Sequence, residues 1–178
     1  MMRRGILYGL AGILLTLCPL GVWADITHNF HTKFNGGTLV AVDGTHFRST
    51  NDAIVYTMGS NTELLLDVQY ASKICFNLLK SGAYIATSPS LNKVNGLTIN
   101  HMPNDVTLSS SKVVVELSLD GSDWSSVTPT VSYGKGTITV EAPENSYYVR
   151  IRSVSSTRVS IQQIVYSIGE CACFPYVP

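Results

Sequence analysis

Charge is scarce in this chain. Asp, Glu, Lys and Arg make up 13% of the residues, and the two signs balance at twelve each. No basic run follows Arg4. Phosphate contacts supply most of the affinity of a nucleic-acid binder, which therefore carries a basic surplus; no nucleic-acid partner is expected here. Apolar residues at helical spacing are missing beyond the first 24 residues, which argues against a helical domain. Beyond that N-terminal segment no apolar run approaches the ~18–20 residues of a spanning helix, so no membrane span is expected. Nucleophile-elbow, phosphate-loop, dinucleotide and His-Glu-x-x-His motifs are all missing. Catalysis is not expected. The cysteines, Cys18, Cys75, Cys171 and Cys173, lack the C-x-x-C and histidine spacing of a zinc site.

The chain opens on an export pattern. Arg3 and Arg4 precede an uncharged apolar stretch from Gly5 to Leu20, and Val22-Trp23-Ala24 stands before Asp25. A signal peptide over residues 1–24 is expected, cleaved after Ala24. The protein then works outside the cytoplasm, in the periplasm, on the cell surface or in the medium. Lipidation at Cys18 is the alternative, but bulky Leu17 before it and Pro19 after it fit that poorly. Cleavage leaves 154 of the 178 residues, the size of one domain. In an oxidising compartment Cys75 is expected to pair with Cys171 or Cys173, whereas a bond inside Cys171-Ala172-Cys173 is strained.

What the rest contains is strand rhythm. Ile26, His28, Phe30, Thr32 and Phe34 share a face until Asn35-Gly36-Gly37 breaks the run. Strands are expected over Ala53–Met58, Glu63–Tyr70, Lys73–Leu79, Tyr84–Thr87 and Gly96–Met102. Val113, Val115, Leu117 and Leu119 face one way, Glu116 and Ser118 the other, and Asp120-Gly121 then favours a tight turn. Ile138, Val140 and Ala142 share a face; Tyr147, Val149 and Ile151 alternate with Tyr148, Arg150 and Arg152. In the last run Val159 and Ile161 are out of phase with Ile164, Tyr166 and Ile168, and one extra residue at Gln162-Gln163 restores the phase. That predicts a β-bulge. Many short strands separated by turn signals predict two antiparallel sheets packed as a sandwich over residues 25–168, most simply a jelly roll. A tail, residues 169–178, follows.

Four segments in order, Ala83–Pro89, Leu117-Ser118-Leu119-Asp120-Gly121-Ser122-Asp123-Trp124, Tyr148–Ile151 and Val159–Ile164, resemble the galactose-binding-like jelly rolls found as accessory domains on secreted Bacteroidetes proteins. The resemblance runs from Glu63 to Ile168. It implies a jelly-roll fold similar in shape to carbohydrate-binding modules, and a glycan as one class of partner.

The candidate site follows from strand geometry. Tyr148, Arg150 and Arg152 sit at alternate positions and project from one sheet face. An aromatic ring stacks on a sugar face and guanidinium groups grip carboxylates, so this trio suits an acidic sugar. The plainer reading is a solvated strand face whose arginines pair with Glu116 or Glu141. Trp124 is either a further stacking platform or, the expected reading, a plug at the sandwich edge. Asp120 and Asp123 are weak candidates for a structural calcium, the one candidate cofactor; two carboxylates fall short of its 6–8 oxygens, and turn-stabilising side chains are expected instead. His28 and His31 point to opposite strand faces and cannot share a metal.

The expected function is therefore an exported, non-catalytic module that binds carbohydrate. One alternative is a structural or adhesive surface protein that contacts other proteins through its apolar tail, Cys171–Pro178. The other is a polysaccharide lyase or hydrolase, which would need Tyr148, His101, Arg150 and Arg152, or the carboxylates Asp67, Glu116 and Glu141, to meet in a cleft.

Overall fold

The computed structural model describes residues 25–30, 39–49, 54–67, 73–89 and 93–169. Among them the two-residue rhythm yields thirteen strands. In chain order these are β1 (Ile26–Asn29), β2 (Leu39–Ala41), β3 (His46–Ser49), β4 (Val55–Met58), β5 (Thr62–Asp67), β6 (Lys73–Leu78) and β7 (Tyr84–Thr87). Then come β8 (Val94–Met102), β9 (Val113–Ser118), β10 (Thr130–Tyr133), β11 (Thr137–Asn145), β12 (Tyr148–Ser153) and β13 (Val159–Ile168). They form two antiparallel sheets packed as a sandwich. One has the order β10-β11-β8-β13-β6-β5, with β1 also paired to β13; the other has the order β2-β3-β4-β7-β12-β9.

The core lies between the sheets. Phe76, Leu97, Ile99, Ile138, Ile161 and Ile164 enter from the β13 sheet; Phe47, Tyr56, Ile85, Leu117, Val149 and Ile151 enter from the β12 sheet. A fully buried aliphatic side chain contributes about 2 kcal/mol, and the alternation along β12 shows how that burial orients the site. Val149 and Ile151 go in, so Tyr148, Arg150 and Arg152 must go out. A polar chain also crosses the core. His28 Nδ1 shares a hydrogen bond with the Tyr56 hydroxyl, which is 2.8 Å from the Tyr166 hydroxyl. It links β1 and β13 to β4 on the facing sheet.

The expected bulge is present. Ile161 faces His101 and Gln163 faces Asn100, leaving Gln162 as the extra residue. It also marks a change of neighbour, since β13 pairs with β6 through Ile161 and with β1 from Gln163.

Other expectations need correction. β9 stops at Ser118, and Leu119 is 52% exposed rather than buried with Val113, Val115 and Leu117. The cause is the turn: the Ser118 hydroxyl accepts from the Asp120 and Gly121 N–H groups, so the backbone leaves strand geometry before Leu119 can face inward. Gly121 does take a positive φ of 78°, but the turn belongs to a crossing between sheets, from β9 to β10, and not to a hairpin within one. The first strand ends at Asn29. Strands β2, β3 and β10 were not expected from the sequence. Cys75 is buried on β6; Cys171 and Cys173, its expected partners, lie outside the described residues, as do Cys18, the 1–24 segment, His31, Thr32, Phe34–Gly37, Ala53 and Val68–Tyr70.

Candidate functional site: a groove on the outer face of one sheet

Strand register assembles the site. Arg150 on β12 faces Ala86 on β7, Ala86 faces Thr57 on β4, and Thr57 faces His46 on β3. Glu116 on β9 flanks Arg150 on the other side. One row of outward side chains thus crosses five strands. Its middle members, Ala86 and Thr57, are small, so the row is low at its centre. Larger side chains rise on both sides: Tyr84 on one, Tyr148 and Trp124 on the other. The result is a groove of about 330 Å³, lined also by Val55, Ser88 and Gly121.

Two glycines seat the walls. The Tyr84 ring lies against the backbone of Gly59, where any β-carbon would overlap it. The Tyr148 ring lies on Gly121, where a β-carbon would come within 3.0 Å of two ring atoms. Gly121 is doubly required, by this contact and by its positive φ.

The loop that carries Trp124 is fastened by its own carboxylates. Asp120 Oδ1 accepts from the N–H groups of Asp123 and Ser122, each at 2.8 Å. Those bonds, the Asp123 N–H first, hold the Asp120 carboxyl far below the ordinary carboxylate range. Asp123 Oδ1 accepts from the Ser125 hydroxyl and N–H. Both are turn-stabilising. Among the described residues no group of three His, Cys, Asp or Glu side chains gathers to hold a metal ion.

Trp124 corrects an expectation. It does not plug the sandwich edge; it is partly exposed on the outside of the sheet and lines the groove. Its ring centre is 4.3 Å from the guanidinium carbon of Arg150, within the range of a cation–π contact. Arg150 donates from Nε to Glu116 at 2.6 Å, and Arg152 donates from a terminal amino group to the same carboxylate at 2.7 Å. Burial alone would raise the Glu116 carboxyl, but the hydrogen bonds and charges of Arg152 and Arg150 outweigh it and hold the group below its ordinary range. One carboxylate against two guanidiniums leaves a surplus positive charge. The terminal amino groups of Arg150 have no hydrogen-bond partner among the described residues.

Of the sequence candidates, Tyr148, Arg150 and Trp124 therefore meet in one groove, while Arg152 stands just outside and serves Glu116. Glu141 lies on the other sheet and is no partner to either arginine. The lyase set does not assemble: His101 is buried on the core side of the β13 sheet, with Tyr148, Arg150 and Arg152 on the outside of its neighbour. Glu141 is on the β13 sheet and Glu116 on the β12 sheet, so these two hydrolase carboxylates do not converge; the Asp67 side chain lies outside the described residues. The floor and the second wall, Val55, Thr57, Ala86 and Tyr84, were not foreseen. Alternation in Tyr84–Thr87 does place Tyr84 and Ala86 on one face, but nothing local names β12 as the neighbour.

No protein-family model matches the chain, and no curated protein or solved structure matches it. The class is thus defined by geometry: an antiparallel two-sheet β-sandwich with an aromatic-walled, cationic groove on one face. Among the described residues no helix is long and apolar enough to cross a membrane.

Proposed function

We propose that this chain is an exported, non-catalytic module that binds carbohydrate, and that it takes an acidic sugar in the groove of the β12 sheet. The observation that carries the reading is the pairing of Trp124 with Arg150 at the wall of an open groove whose floor is Ala86 and Thr57. Rings bordering a shallow groove suit the apolar face of a pyranose. The surplus guanidinium charge suits its carboxylate. The resemblance to galactose-binding-like jelly rolls supports the same class of ligand, and the export pattern supports an encounter outside the cytoplasm.

The test is a glycan array with the chain from Asp25 onward. Retention of uronate- or sialate-bearing glycans, lost in Trp124→Ala and Arg150→Ala, is expected. An array with no glycan retained, or with retention unchanged in both variants, overturns the reading. The adhesive alternative acts through the tail beyond Gly169, which lies outside the described residues; on that reading truncation after Gly169 abolishes surface attachment and both groove variants leave it intact.

A further inference from the structure

A second cation stands beyond the Val55 side of the groove, away from Trp124. Val55 lines the groove, and its cross-strand partner on β3 is Arg48. The rhythm of β3 turns Phe47 and Ser49 inward and leaves Arg48 exposed. Arg48 has no ion-pair partner among the described residues. Between β3 and β12 lie β4 and β7, and Arg48 stands in the Val55 row, one outward row from that of Arg150, so the two are three strand spacings and one two-residue step apart, about 16 Å. That exceeds the screening length of roughly 8 Å at physiological salt, and no single carboxylate touches both. The ground between them is Val55, Thr57, Ala86 and Ser88, small and uncharged.

One acidic group among the described residues also stands beside β3. Asp43 lies beside His46, accepting from the N–H groups of Thr45 and His46 and meeting the His46 ring at 2.9 Å. It stands in the turn between β2 and β3, against His46 at the end of the Thr57–His46 row, so an anion's path runs over the neighbouring row, through Val55 to Arg48.

We propose that the groove takes an internal stretch of a linear polyuronate laid across the strands, with one carboxylate at Arg150 beneath Trp124 and a later one at Arg48. The inference rests on the carbohydrate reading above and adds a ligand class to it: a chain of repeated carboxylates in place of a single terminal acidic sugar. Arg150 fixes one sugar against the aromatic wall. Arg48 then reads the chain's continuation, because only a ligand long enough to leave the groove reaches it.

The experiment is calorimetric titration with three uronates, galacturonate, mannuronate and glucuronate, each as the monomer and as a graded series of short oligomers. For at least one series, affinity is expected to rise with length and then level off. Arg48→Ala should remove about tenfold of the affinity for the longer oligomers, the worth of one charge-assisted contact, and leave the monomer unchanged. Arg150→Ala should weaken every length. Circular dichroism verifies that both variants fold, which their surface positions favour. If the monomer binds at Arg150 but length adds nothing and Arg48→Ala is silent, the chain-reading inference is overturned while the groove reading stands. If no uronate of any length binds, this inference is overturned too, and the array decides separately whether the groove binds any other acidic sugar.

Discussion

The ring of Tyr84 rests on the backbone of Gly59, closely enough that a β-carbon at position 59 would overlap it. The contact joins the end of β4 to the start of β7 and sets the height of one groove wall. Gly59→Ala should push the ring aside. Tyr84 is a side chain that can swing, so the protein should fold, with a loss of about 1 kcal/mol from local overpacking. Ligand affinity should fall further than stability does. Thermal unfolding and glycan titration on the same variant measure the two effects.

Glu116 is shared by Arg150 and Arg152. Glu116→Gln leaves two adjacent guanidiniums without their anion, and a loss on the order of 1 kcal/mol is expected for such half-buried charged hydrogen bonds. The pH dependence has a definite sign. The folded-state carboxyl titrates below its ordinary range, so its contribution is complete above an unfolded glutamate pKa of about 4.3 and is lost as pH falls from there through the folded value. Denaturant unfolding between pH 3 and pH 6, roughly the window around those values, should show a smaller acid loss in the Gln variant.

His101 is 1% exposed, and neither ring nitrogen has a hydrogen-bond partner. Burial pushes its pKa down, so the folded protein holds it neutral while the unfolded chain protonates near its ordinary value of about 6.5. Stability is present above that value and declines as pH falls below it toward the folded pKa. His101→Leu keeps an apolar ring-sized group and removes the unpaired nitrogens. It should flatten the decline, and raise stability by about 1 kcal/mol at mildly acid pH. Urea midpoints at pH 7 and at pH 5, roughly either side of the ordinary histidine value, are the measurement; a wild-type midpoint that is flat across that interval contradicts it.

Gln162 is the extra residue that lets Ile161 and Ile164 both face the core. Deleting it would turn Ile164 and Tyr166, each 0–1% exposed, to the outer face. At about 2 kcal/mol for each buried side chain, together with the inward-turned polar residues, the loss approaches the whole stability of an ordinary domain. The deletion should give no folded protein by circular dichroism, and Gln162→Ala should be tolerated, because the extra residue matters there and its side chain does not.

The strand rhythm and the strand pairing carry different kinds of information. The bulge at Gln162 and the outward set Tyr148, Arg150 and Arg152 were legible without any structure, because alternation is a property of neighbours along one strand. So was the turn at Asp120-Gly121, where glycine's freedom at positive φ is local chemistry. The exposure of Leu119 was not, since the Ser118 hydroxyl ends the strand by capturing turn N–H groups that a periodic pattern does not show.

The groove belongs wholly to the second kind. Thr57, Ala86 and Arg150 are distant in the chain and become one row only because β4, β7 and β12 are neighbours. Trp124, expected inside, stands outside because its loop is tied down by Asp120 and Asp123 over the Tyr148 end of β12. Residue order along the chain determined which side chains leave the core, since water drives every second one inward. Which of those outward groups meet was decided by strand pairing, a choice made jointly by all the apolar faces that had to be covered at once.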